Sequence, residues 1–345
     1  MACMTIEEMA GQLIMPAVYS DSTQRTLRLV REYATDGHVG GVVLLKGSAN
    51  AARVIVDTLR SMLGVPPFIA IDAEWGLAMR LDGYPEFPRN GRISADADET
   101  LLFDYGYEVA RECHEIGINM ILGPVLDVLP GGRKSSGIGS RSYGRDPERA
   151  AKLGVAYAKG VESGGVISVA KHFPGHGSAD ADSHKRLPMV AKEREQLEAI
   201  DLLPFKEYVS NGLSAIMTGH LYVPALEEDE IPVTVSEKIL KKYVRGELGF
   251  NGLILTDAIN MAGAEGCSAA DAILAGADIV LAPSNTEGEL RRLTDAVRMG
   301  HLPIDTLKDR VGRVLFFKYL TVILNKGEQN IGEYDEAERI IKLLR

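Results

Sequence analysis

Residues Gly165 to Pro188 read GVISVAKHFPGHGSADADSHKRLP. The first six, Gly165 to Ala170, are apolar without alternation, the pattern of a strand covered on both faces. Lys171 and His172 then stand where that strand ends. The residues after them are rich in Gly, Ala, Ser and Asp, with neither a helical nor an alternating apolar period, and read as a long loop. Three of the seven histidines, His172, His176 and His184, fall in this stretch beside Asp180 and Asp182. A polar loop loaded with titratable groups and hung on a buried strand is a place where chemistry collects. The plainer reading is a solvated surface loop.

Seven similar apolar runs lie on either side of this one. They are Gly11 to Pro16, Gly40 to Leu45, Pro67 to Asp72, Asn119 to Val128, Leu213 to His220, Gly252 to Asp257 and Ala277 to Ala282. The segments between them carry helix signals. Asp146-Pro147-Glu148 offers an N-cap, a proline at the first helical position and an acid in the first turn. Leu153, Tyr157 and Val161 then recur at four-residue spacing before Gly164-Gly165. Ser236 similarly precedes a helix with Ile239, Leu240 and Tyr243 on one face. Eight strand–helix steps predict an α/β fold of the (β/α)8 TIM-barrel type. The rival, a doubly wound open sheet, would place a G-x-G-x-x-G turn after an early strand, and none is present. The barrel is expected over residues 1–325, with 326–345 forming a tail whose short helix packs on it.

The 345 residues carry a net charge of -10, with 46% hydrophobic and 25% charged residues, the balance of an ordinary globular protein. Nothing basic is concentrated enough to neutralise phosphates, so nucleic acid and anionic membrane are not expected partners. No apolar run approaches bilayer length. Met1 to Glu8 lack the basic start and apolar stretch of a signal peptide. Cys3, Cys113 and Cys267 are odd in number and scattered, which is neither a disulfide framework nor a zinc spacing. A cytoplasmic location fits best, and a periplasmic or exported one, after removal of a signal peptide, would look the same.

The barrel reading predicts functional side chains at strand C-termini. Asp72, Asp127, Lys171 with His172, His220 and Asp257 stand there. Bare buried charges are costly, so packing alone does not explain them. Asp127 and His220 singly could also cap a loop or hold a backbone amide. A metal site would rest on His172 and His176 alone, and no H-x-H stands at the first strand end; neither a metal nor another cofactor is expected. A phosphate site lacks a glycine-rich cradle at the eighth run, which ends in Pro283 and Ser284. An acid–base pair with a nucleophile fits better. Asp182 and His184 are two apart, so in an extended loop the carboxylate can orient the imidazole and stabilise its charged form. A histidine titrates near neutral pH, as a group that acts first as acid and then as base requires. Asp257, on a rigid strand end, is the candidate carboxylate nucleophile.

KHFPGHGSADADSH resembles the signature loop of the β-N-acetylglucosaminidase branch of glycoside hydrolase family 3. Four further blocks agree in order: IDAEWGLAMRL at Ile71 to Leu81, LGPVLDV at Leu122 to Val128, SRSYGRDP at Ser140 to Pro147, and LGFNGLILTDAINMAGA at Leu248 to Ala264. The resemblance spans roughly Glu7 to Tyr319. It implies hydrolysis of terminal β-linked N-acetylglucosamine with retention of configuration, on a small-molecule carbohydrate such as a muropeptide fragment or a chitin-type oligosaccharide. It implies Asp257 as nucleophile and His184 paired with Asp182 as acid–base. Asp72, Arg141, Lys171 and His172 would bind the sugar hydroxyls and the N-acetyl group, with Arg80 nearby. The chain departs from the family pattern at Glu74-Trp75-Gly76, where Glu-Gly-Gly is common, and at Ala258, where a second Asp is frequent. Trp75 could stack on a sugar or belong to the core. A phosphorylase is a second reading, because a histidine in place of a carboxylate repels an incoming phosphate less. A non-catalytic sugar-binding barrel is a third. Oligomeric state is not legible.

Overall fold

The computed structural model describes residues 4–36, 38–132 and 137–324. The expected short helix within 326–345 lies outside the described residues. Ten parallel strands form one sheet: β1 (Ile14–Met15), β2 (Ala17–Ser20), β3 (Gly41–Ser48), β4 (Phe68–Ile71), β5 (Leu81–Asp82), β6 (Met120–Ile121), β7 (Ile167–Phe173), β8 (Ala215–Thr218), β9 (Leu253–Ala258) and β10 (Ile279–Leu281). Their order is β1-β10-β9-β8-β7-β6-β4-β3-β2, with β5 paired to β3.

β1 and β2 are two halves of one passage, separated only by Pro16. Proline brings no N–H to a ladder, so the pairing changes partner there. The first half pairs with β10, Ile14 opposite Val280. The second pairs with β3, Ala17 opposite Val43. Met15 accepts from the Ala282 N–H at 2.9 Å and Pro16 from the Val43 N–H at 2.9 Å. The sheet therefore closes on itself as the (β/α)8 barrel that the run spacing predicts, β1 and β2 making one stave and β5 standing outside the ring.

Two of the expected runs are corrected. Gly11 and Gln12 belong to the helix Ile6–Gln12, which Thr5 and Glu8 close with a capping box; the first stave starts at Ile14 and runs past Pro16 to Ser20. The fourth run keeps only Met120 and Ile121 in the ladder. Beyond the cis Gly123–Pro124 peptide the chain stays beside β7, the Leu126 N–H donating to Lys171 at 2.7 Å. Asp127 is thereby carried past the sheet edge.

The helix signals hold. Asp146 accepts from the N–H groups of Glu148 and Arg149 at the start of the helix Pro147–Ser163, and Leu153, Tyr157 and Val161 are buried. Ser236 Oγ accepts from Ile239 N–H at 3.1 Å ahead of the helix Lys238–Glu247, which is wound as a π-helix. Helices Glu99–Ile116 and Pro147–Ser163 cross so closely that a Cβ at Gly106 would lie 2.1 Å from the Tyr157 carbonyl oxygen, and one at Gly160 2.0 Å from that of Phe103.

The end of the barrel opposite the strand C-termini holds a buried amine. Lys318, on the helix Ile304–Leu324, donates to Gln12 Oε1 at 2.6 Å and sits 5.4 Å from the centre of the Phe68 ring. Burial pushes its pKa down to about 7. In the unfolded chain a lysine keeps its proton to roughly pH 10.4, so between these values the unfolded state binds more protons and stability rises with pH. Denaturant unfolding of wild type and Lys318→Met should therefore give diverging pH profiles. The wild type is expected to gain on the variant by on the order of 2–4 kcal/mol between about pH 7 and pH 10. Parallel profiles would show that Lys318 titrates normally.

Candidate active site

Five charged side chains from the C-terminal ends of three staves alternate in sign. β4 delivers Asp72 and, two residues on, Glu74; β7 delivers Lys171; Arg80 and Arg141 come from the loops after β4 and β6. Arg80 Nη2 lies 2.6 Å from Asp72 Oδ2, and Lys171 Nζ 2.7 Å from Asp72 Oδ1. The same Nζ lies 2.8 Å from Glu74 Oε1. Arg141 grips Glu74 with two bonds, Nε to Oε2 at 2.9 Å and Nη2 to Oε1 at 2.8 Å. Each carboxylate thus sits between two cations. Burial alone would raise the carboxyl of Asp72, but Lys171 and Arg80 outweigh it and hold it well below the usual range. Glu74 follows the same balance, Lys171 and Arg141 bringing it to about 2. Burial works against the charge of Lys171 too, yet the two carboxylates keep its pKa raised. The array is ionised and pinned, so its leftover donors and acceptors have fixed directions.

Asp127, fully buried, organises the next layer. Its carboxylate accepts from His172 Nδ1 at 2.7 Å, from the His172 N–H at 3.2 Å and from the His176 N–H at 2.6 Å. Burial would raise its pKa, but His172 and these N–H groups lower it to about 2. His172 Nε2 consequently faces Arg141 Nη2 at 3.4 Å. His176 is buried and brings Nε2 within 3.0 Å of Ser183 Oγ; burial and the neighbouring His172 lower its pKa.

Asp257 stands at the end of β9 and accepts from the Ala258 N–H at 2.7 Å. Burial opposes its ionisation, and the neighbouring His172 with the Ala258 N–H prevails, leaving its pKa lowered. His220 donates from Nε2 to the Ala258 carbonyl at 3.1 Å, so its Nδ1 accepts from Thr234 Oγ1 at 2.8 Å. Both ring nitrogens are used in the neutral form, which agrees with the lowering of its pKa by burial. Asp127 and His220 thus take the amide-holding and loop-fixing roles open to them from sequence: each fixes a strand end that carries a candidate group.

His184 and Asp182 stand apart on the loop after β7. His184 donates to Asp182 Oδ1 from its own N–H at 3.0 Å and from Nδ1 at 2.8 Å. The imidazole is 69% exposed. Among the described residues His184 pairs with Asp182 and not with the array or Asp257. The loop is nevertheless tied to the β9 side: the N–H of Gly263, in the loop beyond Asp257, donates to the Ser183 carbonyl at 2.9 Å. Trp75 packs partly on the core cluster, and the Arg89 guanidinium lies 4.4 Å from its ring centre. Among the described residues no group of three or more His, Cys, Asp or Glu is arranged to hold a metal ion, and no helix is long and apolar enough to cross a membrane.

Sequence reasoning leaves Glu74 without a role, although it lies two residues from Asp72 and so projects to the same side of an extended segment. It also passes over the contact of His176 with Ser183, for which nothing local gives a signal.

A family profile described as the glycosyl hydrolase family 3 N-terminal domain matches residues 5–317. The chain belongs to glycoside hydrolase family 3. It is 35% identical over 264 residues to a β-hexosaminidase of Nitrosospira multiformis, covering 72% of this chain and 74% of that one. A β-hexosaminidase of Neisseria meningitidis is 36% identical over 262 residues, covering 71% and 72%. Among solved structures, a family 3 β-N-acetylglucosaminidase from Paenibacillus superposes with a TM-score of 0.90 at 29% identity, covering 99% of this chain and 68% of that one. This chain is accordingly a glycoside hydrolase.

Proposed function

We propose that the chain is a retaining exo-β-N-acetylglucosaminidase that releases terminal β-linked N-acetylglucosamine from muropeptide fragments or chitin-type oligosaccharides. The observation that carries this reading is an ionised carboxylate, Asp257, at a strand end beside a pinned array of hydrogen-bonding groups. The β-hexosaminidase relatives and the β-N-acetylglucosaminidase neighbour support the substrate class.

In the first half-reaction an Asp257 oxygen attacks the anomeric carbon while the bond to the leaving oxygen breaks. His184, charged, gives its Nε2 proton to that oxygen as it departs. In the second half-reaction His184, now neutral, takes a proton from water, the water oxygen attacks the anomeric carbon, and Asp257 leaves as carboxylate. Asp182 orients the imidazole and stabilises its charged form. Asp72, Arg80, Arg141, Lys171 and His172 hold the sugar hydroxyls and the N-acetyl group, so that binding energy is spent on orientation. Two inversions give net retention. The free cysteines among the described residues, Cys113 and Cys267, agree with action in the cytoplasm.

Proton NMR of the first-formed product, with and without added phosphate, tests the reading. The β-anomer of free N-acetylglucosamine is expected in both cases. The α-anomer formed first, or a sugar phosphate in the second case, would refute it.

A further inference from the structure

The loop that bears His184 leaves β7 at Pro174 and returns by Lys192, and both of its limbs converge on one side chain. Asp201 caps the C-terminus of the helix Arg194–Ile200 and is fully buried. Its Oδ1 accepts from Ser178 Oγ on the outgoing limb at 2.5 Å. Its Oδ2 accepts from Lys192 Nζ on the returning limb at 2.5 Å. Gly175, at φ +125°, lies so near that a Cβ there would be 2.7 Å from the Asp201 Cβ. A carboxylate in this position is costly, being desolvated and set at the negative end of a helix dipole. An apolar residue would fill the space without that cost, so the contacts made by the charge are what distinguish Asp201 from packing.

Above the clamp the limbs are pinned to each other. The Asp180 N–H donates to the Met189 carbonyl at 3.1 Å, Asp180 Oδ1 accepts from the Met189 N–H at 2.8 Å, and Arg186 pairs with Asp180 Oδ2 at 2.8 Å. The tip is held at Ser183 by His176 and by the Gly263 N–H. His184 therefore rides on an arm whose root is set by Asp201.

We propose that Asp201 is a positioning residue for proton transfer: by clamping Ser178 and Lys192 it sets where the His184 imidazole meets the leaving oxygen. The inference rests on the reading of His184 as the acid–base group. A misplacement of about 1 Å in such a donor costs on the order of a hundredfold in rate, and the cost falls only on leaving groups that need the proton.

The test measures kcat/KM, which reports the step up to departure of the leaving group, for aryl β-N-acetylglucosaminides graded from dinitrophenyl, which leaves unaided, to phenyl, which does not. Asp201→Asn is expected to change the dinitrophenyl substrate by less than about threefold and to slow the phenyl substrate about thirtyfold. Ser178→Ala and Lys192→Met should show the same tilt at about fivefold each, and they carry the test if Asp201→Asn fails to fold. His184→Ala is the control, expected to show the steepest tilt. No tilt in His184→Ala would sink the acid–base reading itself. A tilt there, with uniform or negligible losses in the other three, would overturn the role of Asp201 alone.

Discussion

Asp257→Ala is expected to yield a folded protein that hydrolyses an aryl β-N-acetylglucosaminide about 10⁴-fold or more slowly, the scale of losing a nucleophile. The carboxylate makes one hydrogen bond within the protein, to the adjacent Ala258 N–H, and its burial opposes its charge. Removing it therefore takes little from the fold, and the thermal midpoint should stay near that of the wild type. The array proposed to bind the sugar is untouched, so the loss should appear in kcat rather than KM. Added azide supplies an external nucleophile on the face that Asp257 vacates, and should restore turnover with formation of the α-glycosyl azide. Near wild-type hydrolysis by the variant would remove Asp257 from the reaction.

Glu74→Ala should damage both stability and activity. Its carboxylate is 1% exposed and contacts both Lys171 and Arg141. Without it, among the described residues, Lys171 keeps Asp72 as its only carboxylate and Arg141 has no carboxylate partner left. Breaking one partner out of a buried ionic group costs about 3–5 kcal/mol, which denaturant unfolding would read directly. The displaced Arg141 and Lys171 can no longer present the fixed donors proposed for the sugar, so kcat/KM should fall by about a hundredfold or more. The pH dependence has a definite sign. Folding lowers the pKa of Glu74 from 4.5 to about 2, so its stabilising contribution is complete above pH 4.5 and disappears as pH falls toward 2. The stability gap between wild type and variant should close over that interval. A gap that stays constant to pH 2, or a variant as stable as the wild type at neutral pH, would show that the charge alternation is not what holds this site.

The closed barrel was legible because all eight staves are marked by continuous apolar runs, the first only over Ile14–Met15, and the parallel pairing follows from helices interposed between them. Ser20 shows where this reading stops. The stave Ala17–Ser20 has the sequence AVYS, half polar, and follows a proline that ordinarily ends a strand. Only the closure of the sheet, with β3 waiting on the other side, makes it one. The charged groups at strand ends were legible for a related reason: an Asp, Lys or His after an apolar run has to be accounted for. Glu74 stood in plain view but lacked a stated partner, since its cations, Arg141 and Lys171, lie far along the chain and only the fold brings them to it. Asp201 was not legible at all. It lies at a helix end where an acidic residue is ordinary, and its importance comes from two limbs of a loop that return to it in the folded chain. The pairing of His184 with Asp182 was legible in their spacing of two, and the Asp182 Oδ1 bond to both the imidazole and the backbone N–H of His184 is the local geometry which that spacing makes possible.

The proposed covalent step can be tested by capture. A fluorinated N-acetylglucosaminyl fluoride forms the ester quickly and hydrolyses slowly, so the enzyme accumulates as the glycosylated species and the labelled peptide can be sequenced by mass spectrometry. The account predicts one sugar per chain, attached to Asp257 and released on standing with return of activity. A label on another residue, or hydrolysis of the glycosyl fluoride with no protein-bound sugar at any time, would contradict it.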